Sequence, residues 1–174
     1  MSRDAPSHPS RTRIAVLGAG AWGSVLAALL GERGHDVRLW VRDPERAARW
    51  AERRRDPLGR TPVALPAAVR PTAHLAEAVA DAEAAFAVVP NAALDDVAAR
   101  LRAAAPRGLF VVSCSKGLFP PDLSRPSAHL AAALPGSRVA VLSGPNLANE
   151  IAAGLPAAAT VAARDVGLAE LVQG

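Results

Sequence analysis

Three glycines stand at a fixed interval in VLGAGAWGSVLA: Gly18, Gly20 and Gly23 keep the spacing G-x-G-x-x-G. The stretch before them, RIAVL, is a short apolar run, and the stretch after, WGSVLAALLGERG, has helical spacing and stops at Gly34. Strand, tight turn and helix form the setting in which this spacing binds a dinucleotide. Gly18 allows the turn, Gly20 lets a pyrophosphate approach the backbone, and Gly23 lets the helix pack on the strand. The phosphates then meet the positive end of the helix. Trp22, inside the same loop, could shield a cofactor or equally fill the core.

A second chemical position follows the next strand, in WVRDPER. An acidic residue there would accept a hydrogen bond from an adenosine 2′-OH. Asp43, however, precedes Pro44, the arrangement of a helix N-cap and first helical residue, which commits its carboxylate to backbone N–H groups. Arg42 is left facing the ribose. A guanidinium pairs with a 2′-phosphate through two hydrogen bonds or stacks on adenine, so NADP is expected alongside NAD. A third position is Lys116 in VVSCSKGLFPPDLSRP, the single lysine in a chain whose other basic side chains are arginines.

These residues need a scaffold, and the pattern for one recurs along the chain. DVRLWV is followed by PERAARWAERR, AAFAVV by AALDDVAARLRAAA, LFVV by LSRPSAHLAAAL, and RVAVL by NLANEIAAG, with a weaker unit between Pro62 and Ala80. Strands alternating with helices imply an α/β fold of Rossmann type: a doubly wound, mostly parallel sheet with helices on both faces. A length of 174 residues fits one domain, placed at 13–174 after a loose tail over 1–12.

Composition narrows the class. The net charge of +4 comes from arginine, dense between Arg42 and Arg60, but the chain has no Tyr and few aromatics to stack on bases, so the run reads as a solvated helix face and no nucleic-acid partner is expected. One cysteine, Cys114, excludes an internal disulfide, and no metal site is expected. His8, His35, His74 and His129 form no metal or triad pattern and read as surface residues; Ser113 and Ser115 read as loop residues rather than nucleophiles. Neither a signal peptide nor a membrane span is legible, which points to the cytoplasm.

With these segments in view, the sequence resembles the soluble, bacterial-type NAD(P)-dependent glycerol-3-phosphate dehydrogenases. GAGAWG, LWVRD, VVP, SKGL and SGPNLANE with GLPAAATVA occur in that family's order and approximate spacing from about Arg13 onward, over its nucleotide-binding domain. The resemblance implies interconversion of dihydroxyacetone phosphate and sn-glycerol 3-phosphate, supplying glycerophospholipid precursors, with NAD or NADP as cofactor. It implies that Gly18, Gly20, Ala21, Trp22 and Gly23 bind the dinucleotide, with Arg42 and Asp43 at the adenine ribose and Pro90 and Asn91 on the nicotinamide side. Lys116 matches a lysine contacting both cofactor and substrate, Gly144 and Asn146 match substrate positions, and Ala148 a cofactor position. Phe119, Asn146-Leu147, Asn149 and the Pro-rich loop after Leu118 depart from the common pattern.

The resemblance also gives Lys116 a task. As hydride reaches a ketone carbon, negative charge grows on oxygen, and a compact ammonium can approach both that oxygen and a ribose hydroxyl. Family members continue through a helical domain bearing a second lysine for proton transfer and an Arg-Asn segment for the substrate phosphate. The sequence therefore reads as truncated or partial at Gly174, expected to bind cofactor without turnover, and homodimerisation of a full-length protein stays open. Two other readings compete: a Rossmann oxidoreductase of the 6-phosphogluconate or hydroxyisobutyrate type, and a non-catalytic NAD(P) sensor that would have no need of Lys116.

Overall fold

The computed structural model describes residues 11–59, 61 and 63–174. The expected tail, up to Ser10 and including His8, lies outside the described residues. Thr12 is already attached to the body: its N–H donates to His35 Nδ1 at 3.3 Å, and its carbonyl accepts from Asp36 N.

Strands β1 (Arg13–Leu17), β2 (Asp36–Trp40), β3 (Val69–Thr72), β4 (Ala84–Ala87), β5 (Phe110–Ser113), β6 (Val139–Ser143) and β7 (Thr160–Ala163) form one sheet in the order β3-β2-β1-β4-β5-β6-β7. Neighbours from β3 to β6 run parallel, and β7 runs antiparallel to β6. The expected parallel sheet is present, and the weak unit before Ala80 is indeed β3 and a short helix. The seventh strand was not expected. TVAA is four residues of mixed propensity after an Ala-rich loop, and only its pairing with β6 makes it a strand.

Alternation along β1 builds a core on each face, because successive strand side chains point to opposite sides. Ile14 and Val16 enter a cluster with Val37, Leu39, Trp50 and Phe86; Ala15 and Leu17 enter another with Leu94, Leu101, Val111 and Leu130. The first cluster is covered by α1 (Ala21–Glu32), α2 (Pro44–Arg53) and α7 (Val166–Gln173), the second by α3 (Leu75–Val79), α4 (Asn91–Ala104) and α5 (Pro126–Ala133). A short α6 (Ala148–Ala152) touches α1. Among the described residues no helix is long and apolar enough to cross a membrane.

The start of α2 follows from its sequence. Asp43 Oδ1 accepts from the N–H groups of Glu45 (3.0 Å) and Arg46 (3.2 Å), with Pro44 behind it. Such a cap stabilises by about 1 kcal/mol. The arginine run is not uniformly a solvated face. Arg46 turns inward, and Arg54, the left-handed C-cap of α2, gives its guanidinium to the carbonyls of Leu65, Pro66 and Val69. Both guanidinium groups are taken up by backbone carbonyls and, for Arg46, the Asp56 carboxylate, which composition alone does not reveal.

Candidate functional site

The strand order reverses between β1 and β4, so the loops leaving these strands diverge and open a crevice at their carboxyl ends. A cleft of about 640 Å³ lies there, lined by Gly18–Ala21 from the β1–α1 turn, Trp40–Asp43 and Arg46 from β2 and α2, and Val88–Pro90 after β4. That volume is in the range of small-molecule sites.

Two of the three glycines are required by the fold, and the third stands in open space. Gly18 has φ +120°, and a Cβ there would lie 2.3 Å from the Val88 carbonyl oxygen. A Cβ on Gly23 would lie 1.9 Å from the Gly18 carbonyl oxygen, so the first turn of α1 can sit this close to its own loop only with glycine. Gly20 differs: a Cβ there meets nothing within 4 Å, and the residue lines the open cleft. Gly20 is also the N-cap of α1, with no side chain capping the helix. The first N–H groups of α1 are therefore left for an outside acceptor.

On the far wall Arg42 and Asp43 face the cleft together. With the Asp43 Oδ1 atom on the α2 backbone, Arg42 is, among the described residues, the group at this end free to meet an anion. Pro90 lines the opposite end. The next residue, Asn91, keeps its Oδ1 buried with no hydrogen-bond partner among the described residues. An open space above glycine, an uncapped helix start and an exposed guanidinium at Arg42 suit the pyrophosphate and the adenosine end of a dinucleotide, whereas Asn91 Oδ1 is buried and outside the lining.

A second group of expected residues gathers beside the cleft rather than in its lining. Lys116 Nζ donates to the Gly144 carbonyl at 3.0 Å, joining the loop after β5 to the loop after β6. Gly117 lies against Asn91, where an added Cβ would come within 3.4 Å of Nδ2, and the Ser115 hydroxyl donates to the Val89 carbonyl at 2.7 Å. The backbone beside Lys116 is thus tied to the end of β4, and its exposed ammonium reaches Gly144. Asn146 follows on the β6–α6 connection, and Ala148 opens α6. Trp22 does not line the cleft; it is half-buried against the first core cluster.

The histidine expectation needs correction at His129. Its ring is partly buried and stacks on Phe119, centroids 3.9 Å apart; Nε2 lies 2.7 Å from Ser124 Oγ and Nδ1 3.1 Å from Asp95 Oδ1. That chain has the order of a catalytic triad. Ser124, however, shares its one hydroxyl proton with Asp122 Oδ1 at 3.0 Å, and that hydrogen bond holds the Asp122 carboxyl below the usual carboxylate range. The Phe119 N–H also donates to the Ser124 carbonyl. These contacts close the Pro-rich loop onto α4 and α5, directly after Lys116. Burial pushes the Cys114 thiol up to about 12, so it stays protonated and is no nucleophile at neutral pH.

The reading of the sequence missed Arg46 and Asp56. Arg46 Nε and Nη2 donate to the two oxygens of Asp56 at 3.1 and 3.0 Å, and Nη2 also donates to the Ala19 carbonyl at 2.9 Å. One local signal was available: Trp50 stands four residues after Arg46, and the guanidinium sits 4.7 Å over its ring.

Comparison with known proteins agrees with this geometry. The family model described as NAD-dependent glycerol-3-phosphate dehydrogenase N-terminus matches residues 13–169. A glycerol-3-phosphate dehydrogenase, NAD(P)+, of Deinococcus radiodurans is 49% identical over 160 residues, which is 92% of this chain and 47% of that protein. The Azorhizobium caulinodans protein of the same name is 43% identical over 158 residues, 91% of this chain and 48% of that one. The crystal structure of glycerol-3-phosphate dehydrogenase from Coxiella burnetii superposes with a TM-score of 0.87 at 27% identity, over 94% of this chain and 50% of that one. The chain spans about half the length of the curated relatives it matches. With the glycine turn, the strand order and these matches in agreement, the chain belongs to the family of NAD-dependent glycerol-3-phosphate dehydrogenases, in the part that forms their N-terminal domain.

Proposed function

We propose that this chain supplies the NAD(P)-binding half of an enzyme that interconverts dihydroxyacetone phosphate and sn-glycerol 3-phosphate. The observation that carries the reading is the cleft at the strand-order reversal, floored by Gly20 and ended by Arg42 and Pro90. Bound there, a nicotinamide dinucleotide supplies or takes the hydride. The protein's own part is to hold and to polarise. Backbone N–H groups at the start of α1 receive the pyrophosphate, and Arg42 pairs with the adenosine end. Lys116, anchored on the Gly144 carbonyl, holds an ammonium beside the nicotinamide end, where charge develops on the substrate oxygen. Asn146 and Gly144 complete the substrate side. Family membership favours this reading over another Rossmann oxidoreductase.

Arg42→Ala tests the adenosine end. A lost charged hydrogen bond is worth about 1.5–3 kcal/mol, roughly ten- to a hundredfold in affinity. Calorimetric titration should show NADPH weakened by that factor and NADH by far less. Equal losses would place Arg42 on the adenine ring instead, and no loss for either would remove it from the site.

A further inference from the structure

We infer that Arg46 and Asp56 are positioning residues for the dinucleotide: together they fix the peptide plane between Ala19 and Gly20 and so aim the Gly20 N–H at the pyrophosphate. The inference rests on the reading of the cleft as an NAD(P) site.

Three elements meet at this pair. Arg46 belongs to α2, Asp56 to the loop that follows it, and Ala19 to the glycine turn. The pair is inside the protein, with 12% of the Arg46 side chain and none of the Asp56 side chain exposed. Both carboxylate oxygens take a guanidinium hydrogen bond, and the ring of the fully buried Trp50 supports the guanidinium face. The fork is therefore held in one plane before it reaches Ala19.

Stability alone does not account for such a pair. Removing two charges from water costs several kcal/mol each, and apolar replacements of similar volume are often as stable or more so. What the pair adds is orientation. A trans peptide is planar, and its C=O and N–H point opposite ways. Holding the Ala19 carbonyl at 2.9 Å from Arg46 turns the Gly20 N–H in the opposite direction, and there it finds no acceptor among the described residues. Ala19 and Gly20 both line the cleft, so this peptide is part of its floor. Gly20 has no side chain to hold the plane, and without the pair the peptide could rotate.

Arg46 also lines the cleft, which raises a direct contact with a 2′-phosphate as the rival role. The two roles separate by ligand. A positioned Gly20 N–H serves every ligand that has a pyrophosphate, whereas a direct contact serves only ligands with a 2′-phosphate. The experiment is calorimetric titration of the chain with NADH, NADPH, ADP-ribose and 2′-AMP, for wild type, Asp56→Asn and Arg46→Lys, with thermal melts taken without ligand. Asp56→Asn should weaken NADH, NADPH and ADP-ribose alike by about tenfold and leave 2′-AMP within about twofold, the scale of one preorganised hydrogen bond. Arg46→Lys keeps the charge but not the fork and should show the same pattern; it carries the test if Asp56→Asn does not fold. A lower melting temperature with unchanged affinities would make the pair structural only and overturn the inference. Losses confined to NADPH and 2′-AMP would overturn it in favour of direct contact. Failure of the wild type to bind any of the four would overturn the dinucleotide reading itself.

Discussion

Lys116→Ala lowers kcat/KM by about two to three orders of magnitude, the scale of one preorganised donor at a developing oxyanion. The assay uses a chimaera in which this chain replaces the matching half of the Deinococcus radiodurans relative, so that the remaining half of that protein is present. The expectation follows from how Lys116 is held. Its Nζ lies 3.0 Å from the Gly144 carbonyl, and the residues on either side are tied down: Ser115 to Val89, Gly117 against Asn91. The ammonium is exposed and can turn from this carbonyl toward an oxygen on which charge grows. Lys116→Arg should recover little, because a longer planar fork cannot occupy the same point beside Gly144. NADPH affinity should fall far less than turnover in both variants. Near-normal rates for Lys116→Arg would mean that the position needs only positive charge.

Gly20→Val should leave the fold intact and reduce NADPH affinity by at least a hundredfold. Both halves of that expectation come from the open space over Gly20. Apart from its chain neighbours, a Cβ there meets nothing within 4 Å, and the space it would enter is cleft. Gly20 sits at φ −73° with extended ψ, a conformation open to any residue. Thermal melting checks the first half and titration the second. Gly23 could not serve for this test, since its Cβ would collide with the Gly18 carbonyl and the loss of binding would follow from loss of structure.

What was legible in the sequence shares one property: the signal is short-range. The glycine turn reads from six residues, and the N-cap at Asp43 from two. The sheet reads from apolar runs that alternate with helical ones, because strands buried on both faces are apolar along their whole length. What was missed depends on residues far apart. β7 exists through its antiparallel register with β6, seventeen or more residues earlier, and its own four residues carry little propensity. His129 was read as a surface residue because its partner Asp95 lies 34 positions away on another helix. Arg46 looked like one more arginine in a charged run, since neither Asp56 nor the Ala19 carbonyl can be assigned to it before the fold brings α2 over the glycine turn. Lys116 was legible as an exception in composition, but its anchor on Gly144 was not. Trp22 had two readings from sequence, and its side chain is half-buried against the first core cluster.

The central claim is that the cleft at the strand-order reversal binds a nicotinamide dinucleotide. Transferred nuclear Overhauser or saturation-transfer NMR on the wild-type chain with NADPH, repeated on Gly20→Val, measures this directly. The account predicts saturation of adenine and nicotinamide protons by the wild type, with both signals lost in the folded variant. Equal saturation in the two proteins would contradict it, because the dinucleotide would then be held somewhere other than the glycine turn.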